Sequence, residues 1–143
     1  MQIRRVTDEI AVAPQISVAD VAEIAAAGFA SIICNRPDGE SFDQVAYADI
    51  EAAAQAAGLE IIWQPIAVGG LADGDAEKFG EIVDQLPKPV LAYCKSGTRC
   101  IVLWSLSQAK TQSSDAIIRN AAEAGYDLRG LAPRLDALKA SGA

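Results

Sequence analysis

A chain of 143 residues has the length of one domain and can bury about two-thirds of the surface that it exposes when unfolded, so it needs no disulfide staples. Its 12 basic and 19 acidic residues leave a net charge of −7 with no basic run, which argues against nucleic acid and anionic membrane as partners. The chain has no histidine, which excludes Ser-His-Asp and Cys-His nucleophile systems and every His-containing zinc site; its 3 cysteines form no CxxC pair for zinc or iron–sulfur, so no metal or cofactor is expected.

At the N-terminus Arg4 and Arg5 precede Asp8 and Glu9, which interrupt what would have to be the apolar core of a signal segment, and no apolar run is long enough to span a bilayer. With an odd number of cysteines, this predicts a reducing, cytoplasmic setting. Ile10 to Val12 reads as a short edge strand closed by Pro14. Ser17 and Asp20 resemble a capping box, after which Val18, Val21, Ala22 and Ala25 share one helical face until Gly28. Ala30 to Cys34 is a continuous apolar strand, covered on both faces, that runs into the turn-forming cluster Asn35-Arg36-Pro37-Asp38-Gly39. A second helix is predicted from about Asp43 to Ala57, with Tyr47, Ile50 and Ala54 on one stripe and Gly58 as terminator, then a strand from Leu59 to Trp63. Both tryptophans, Trp63 and Trp104, lie in apolar runs and are expected in the core.

Ala67 to Gly74 is a loop containing Gly69-Gly70, with Asp73 and Asp75 at the start of the next helix. Phe79, Ile82, Val83 and Leu86 give that helix its apolar face, and Pro87 and Pro89 end it. A strand from Val90 to Tyr93, a loop and an apolar helix-compatible run from Ile101 to Leu106 follow. Ser113 or Ser114 caps a helix reaching Ala124, Gly125 closes it, and Leu131, Leu135 and Leu138 form the stripe of a short last helix. Strands separated by helices imply an α/β fold with a central, mainly parallel sheet flanked by helices, in a single domain over residues 1–143.

The chemistry concentrates in Cys94-Lys95-Ser96-Gly97-Thr98-Arg99-Cys100, a strand–loop–helix junction. Backbone N–H groups and a helix dipole converge at such a junction and favour an anion. Gly97 supplies the backbone freedom that a curled loop needs. The same field, helped by Lys95 and Arg99, draws a cysteine's pKa from about 8.5 toward roughly 3.5–7.5. Cys94 is therefore the candidate nucleophile and Arg99 the group that orients an anion, with Lys95, Ser96, Gly97 and Thr98 as the anion-binding loop. The hydroxyls of Ser96 and Thr98 can donate, but their N–H groups matter more. In a parallel sheet ligands sit at the carboxyl ends of the strands, where Cys34-Asn35-Arg36 and the Gly69-Gly70 loop would converge with Cys94. Cys34 reads as core; Cys100 is either core or a second thiol able to resolve an oxidised Cys94; Arg36 either lines the site or braces its own turn.

The order of elements, the segment from Gly28-Phe29 to Asn35-Arg36-Pro37-Asp38-Gly39-Glu40, and the segment from Pro89 to Arg99 together resemble the bacterial beta-lactamase-hydrolase-like family. The resemblance covers Ile10 to Leu135. It implies a dual-specificity-phosphatase-like fold, found alone or fused to a metallo-beta-lactamase-type persulfide dioxygenase, in proteins described as phosphatase-like or as sulfurtransferases. Cysteine phosphatases place one residue more between cysteine and arginine, usually with a histidine before the cysteine and a serine or threonine after the arginine. Here 4 residues separate Cys94 from Arg99, Tyr93 stands in the histidine position and Cys100 follows the arginine. This shorter spacing, with glycine third, resembles the loop of rhodanese sulfurtransferases.

Phosphate-ester hydrolysis usually needs a general acid, and Asp73 and Asp75 are the carboxylates nearest in sequence to that role, although either can simply cap its helix. Sulfur transfer leaves behind sulfite or a thiolate, which need little protonation. The expectation is a sulfurtransferase that carries sulfane sulfur from thiosulfate or a glutathione persulfide to a thiol or cyanide through a Cys94 persulfide, with a persulfide dioxygenase as a possible partner enzyme. The alternatives are a cysteine-dependent phosphatase acting through a Cys94 phosphocysteine, and a non-catalytic anion or redox sensor.

Overall fold

The computed structural model describes residues 1–141, apart from the side chain of Asp73. A 5-stranded sheet runs in the order β1-β2-β5-β3-β4, with β1 Arg4–Arg5, β2 Ile10–Ala13, β3 Ser31–Cys34, β4 Glu60–Trp63 and β5 Val90–Tyr93. The pairs among β2, β5, β3 and β4 are parallel, and β1 is antiparallel to β2. Successive side chains of a strand point to opposite faces. Ile10, Val12, Val90, Ala92 and Ile33 accordingly pack with Phe79, Leu103, Trp104, Ile117 and Leu135 on one side. Ala11, Ala13, Leu91, Tyr93, Ile32 and Cys34 pack with Val21, Ile24, Ile50 and Ala54 on the other. The first group draws on α3 Asp73–Gln85, α4 Thr98–Ser107, α5 Ser114–Glu123 and α6 Ala132–Ser141, and the second on α1 Val18–Ala26 and α2 Tyr47–Ala56. The expected α/β architecture is the one observed.

Register decides where the site lies. Tyr93 pairs with Ala13 and with Cys34, and Cys34 pairs with Trp63, so β2, β5, β3 and β4 end level with one another. The residues that leave these strands, Gln15, Cys94, Asn35-Arg36 and Gln64, therefore emerge along one edge of the sheet.

Four local expectations are corrected. Ile10 to Val12 lies inside the sheet, because the two-residue β1 covers its outer side; a strand that short and charged carries no alternating apolar pattern. The exposed edge is β4, and Trp63 is 40% exposed instead of core. It stacks on Tyr47 at 4.6 Å between ring centroids, and its Nε1–H donates to the Arg36 carbonyl at 3.0 Å. α2 begins at Tyr47, since Gln44 caps the preceding turn through Glu40 N–H (2.9 Å) and the Pro37 carbonyl (2.8 Å), and Asp38 accepts from Tyr47 N–H (2.8 Å). α4 begins at Thr98, earlier than the apolar run alone suggests. The capping box of Ser17 and Asp20 is present as expected.

Leu91, fully buried on the central strand, should lose about 2–5 kcal/mol of unfolding free energy in Leu91→Ala. Ile62→Ala on the open edge should cost under about 1 kcal/mol in the same urea titration.

Candidate active site

β5 delivers Cys94 to the end of the sheet, and α4 begins at Thr98. The loop between them must therefore turn within residues 94–97. Gly97 makes that turn at φ +88°, in the left-handed region that side chains disfavour. Cys94 has no solvent exposure, and Gly97 N–H donates to its Sγ at 3.1 Å. The amides of Ser96, Arg99 and Cys100 are also directed at it. The carbonyls of the loop point the other way. Lys95 C=O accepts from Gln15 N–H at 3.2 Å, and Ser96 C=O accepts from the Tyr126 hydroxyl at 3.0 Å.

These contacts favour a thiolate. The Cys100 thiol donates to Cys94 and is the largest influence on it; burial opposes, and the amides of Cys100, Ser96 and Arg99 add support, so that Cys94 is held down to about 5 from 9.0. Cys100 is itself fully buried, and burial followed by its hydrogen bond to Cys94 pushes its own thiol well above the ordinary value. It is the protonated member of the pair. Cys34 is also raised by burial and donates to the Arg36 carbonyl at 3.3 Å, in keeping with a structural role.

A carboxylate joins the arginines. Arg99 donates through Nη1 and Nη2 to the two oxygens of Glu40 at 2.8 and 2.9 Å, and through Nη1 to the Ile66 carbonyl at 2.8 Å. Arg36, 4% exposed, donates through Nε to Glu40 at 2.9 Å, through Nη1 to Gln15 at 2.9 Å and through Nη2 to Ser41 at 3.0 Å. Hydrogen bonding to Arg99, then to Arg36, holds Glu40 below the usual carboxylate range. The Nε of Arg99 has no partner among the described residues, so one edge of its guanidinium can meet an anion while the other stays on Glu40.

The structure thus brings Cys94, Arg99, Cys100 and the loop amides together and connects Arg36 to them through Glu40. It leaves other candidates outside the cradle. Lys95 is exposed, and the Ser96 and Thr98 hydroxyls lie 3.0 Å from each other at the surface. The Asp75 carboxylate accepts from Ala72 N–H at 2.8 Å and so caps α3; Asp73 opens the same helix, and its side chain lies outside the described residues. Sequence reasoning missed Glu40, Gln15 and Tyr126 as parts of the site. The spacing of Arg36 and Glu40 in one turn was a signal for the first; nothing local marks the others.

The family description "Beta-lactamase hydrolase-like protein, phosphatase-like domain" matches residues 2–111. A beta-lactamase hydrolase-like protein of Agrobacterium fabrum is 34% identical over 118 residues, which are 80% of this chain and 27% of that protein. The chain thus spans about a quarter of the length of the curated relatives that it matches, 25% for those of Xylella fastidiosa. Among solved structures, a candidate phosphatase of Neisseria meningitidis shares 37% identity and a TM-score of 0.86 over 96% of this chain and 99% of that one. TpbA of P. aeruginosa, crystallised in complex with pTyr, shares the fold at 13% identity, with a TM-score of 0.67 over 99% and 90% of the two chains. The fold is that of the cysteine phosphatases. Among the described residues no helix is long and apolar enough to cross a membrane.

Because the folded-state pKa of Cys94 lies below the unfolded value of 9.0, the thiolate stabilises the fold fully above pH 9 and the contribution is lost as pH falls through about 5. The unfolding free energy of the wild type minus that of Cys94→Ser should therefore rise between pH 5 and 9; a flat difference in urea titrations across that window would count against a buried thiolate.

Proposed function

The chain belongs to the phosphatase-like domain family of the beta-lactamase hydrolase-like proteins, and on that premise we propose that it is a cysteine-dependent phosphatase acting through a Cys94 phosphocysteine. The observation that carries this reading is a buried sulfur ringed by inward amides beside an arginine with one free edge. The likeness to cysteine phosphatases supports it further, and supports it better than the sulfurtransferase expectation. Cys94 Sγ attacks phosphorus, the S–P bond forms and the ester P–O bond breaks. The loop amides and the Nε edge of Arg99 hold the equatorial oxygens, where negative charge spreads in the transition state. Water then attacks the phosphocysteine, the S–P bond breaks, and inorganic phosphate leaves with the thiolate restored. Glu40 is held ionised by two guanidiniums and Asp75 is engaged in its cap, so neither of these two described carboxylates supplies a proton, and in this reading the leaving oxygen takes its proton from solvent. Aryl phosphates, whose phenolate departs with less need of a proton, are the favoured substrates.

One feature favours a second reading, sulfane sulfur transfer. With 4 residues between Cys94 and Arg99, the amides converge on Sγ itself, which suits one further sulfur atom better than a phosphoryl group. In that reaction the Cys94 thiolate attacks the outer sulfur of thiosulfate, the S–S bond breaks, sulfite leaves without protonation, and a thiol or cyanide removes the persulfide sulfur. A persulfide dioxygenase could then consume a persulfide formed on the thiol.

The wild type should hydrolyse an aryl phosphate, vanadate should inhibit it, and Cys94→Ser should lower turnover by at least about 10³-fold. Arg99→Lys, which keeps the charge and loses the fork, should cost about 10²–10³-fold. Absence of phosphate release, together with a one-sulfur mass gain from thiosulfate that Cys94→Ser lacks, would replace the phosphatase reading with the second.

A further inference from the structure

Gly97 is left-handed at φ +88° and has no side chain to anchor it, and Ser96 before it is exposed. Such a Ser–Gly peptide unit can rotate at little steric cost. Rotation would turn the Gly97 N–H away from Cys94 and bring the Ser96 carbonyl oxygen toward the sulfur, replacing an attraction by a repulsion. We propose that Tyr126 is a positioning residue for the nucleophile: its hydroxyl holds the outer end of the Ser96–Gly97 peptide and so keeps the inner end, the Gly97 N–H, on Cys94 Sγ.

The geometry is that of one rigid plane gripped at both ends. A trans peptide points its C=O and N–H in opposite directions. Here the Ser96 oxygen accepts from Tyr126 at 3.0 Å while the Gly97 nitrogen donates to Cys94 at 3.1 Å. The preceding peptide follows the same rule, its Lys95 oxygen held by Gln15 N–H and its Ser96 nitrogen directed at the sulfur. Gln15 does this with backbone, so no side chain can be removed to test it; Tyr126 does it with a side chain. A Cβ on residue 97 would meet the Tyr126 hydroxyl, so any side chain there would have to displace the group that holds Ser96, besides being strained at that backbone angle.

Tyr126 is in turn well placed. Its N–H donates to the Ala121 carbonyl at 2.9 Å, and the Arg4 guanidinium lies 5.5 Å from its ring centroid while donating to the Ala124 carbonyl at 3.2 Å. Burial raises the pKa of its hydroxyl more than Arg4 lowers it, so Tyr126 stays a donor throughout the neutral range. Among the described residues, the other titratable or charged groups facing Cys94 are Cys34 from β3 and Arg99 and Cys100 from α4, and Tyr126→Phe leaves all of them in place.

The inference rests on Cys94 being a thiolate, whichever anion it attacks, and the test reads the thiolate directly. Ultraviolet thiolate absorbance is titrated against pH in the wild type and in Tyr126→Phe, each corrected with its Cys94→Ser counterpart, with circular dichroism to follow the fold. The wild-type midpoint is expected near 5, and that of Tyr126→Phe about one unit higher with the fold unchanged. The acid limb of the turnover–pH profile of Tyr126→Phe should move to higher pH together with its thiolate midpoint, whereas a merely structural lesion would lower the rate without moving that limb. Equal midpoints would overturn the role of Tyr126 and leave the thiolate standing. A wild type with no Cys94-dependent thiolate signal would overturn both.

Discussion

A sulfur atom shielded from water can hold negative charge only where hydrogen-bond donors replace the solvent it has lost. Cys94 has no exposure, and its compensation comes from loop amides and the Cys100 thiol, with the Arg99 charge close by. Every donor must face inward, which forces the loop carbonyls outward and makes the outer partners as necessary as the inner ones. Gln15 follows β2, the parallel neighbour of β5, and Tyr126 follows α5, which packs against α4; each thereby reaches the loop. The parallel register that levels the strand ends is therefore part of the chemistry of the sulfur.

The second shell of charge follows the same economy of placement. Two guanidiniums share one carboxylate in the Arg36–Glu40–Arg99 group, leaving one positive charge in excess. The Cys94 thiolate offsets it. The site is then locally neutral, the distant charges behind the net −7 are screened beyond a Debye length of about 10 Å at ordinary salt, and an anion is held by the directed N–H donors rather than by net charge. Glu40 grips Arg99 by its two terminal nitrogens, which fixes the plane of the fork and leaves the Nε edge free; it acts as a buttress rather than a plug.

Legibility followed sequence distance. The loop from Cys94 to Cys100 could be read as an anion cradle because nucleophile, glycine and arginine are contiguous there. The sheet could be read because its central strands are unbroken apolar runs. What escaped depends on long-range contacts: Arg99 meets Glu40 across 59 positions, and Tyr126 meets Ser96 across 30. Trp63 misled for a related reason, since an apolar run on an edge strand looks like core until the neighbouring strands are counted. The start of α2 was displaced by side-chain caps within the Asp38 to Val45 turn that helix propensity does not register.

The nucleophile does not itself divide phosphoryl from sulfur chemistry, because both reactions ask for a lowered thiol in an anion-stabilising ring. The division lies with the leaving group. A phosphatase that serves alkyl esters requires a protonated acid near the departing oxygen, and the carboxylate that the fold brings to Arg99 is held in its charged form by two arginines. Glu40 can orient but cannot donate. Among the described side chains the Arg36–Glu40–Arg99 arrangement stiffens the anion fork without offering a proton, which favours groups that depart as anions, the phenolate or the sulfite of the two proposed reactions.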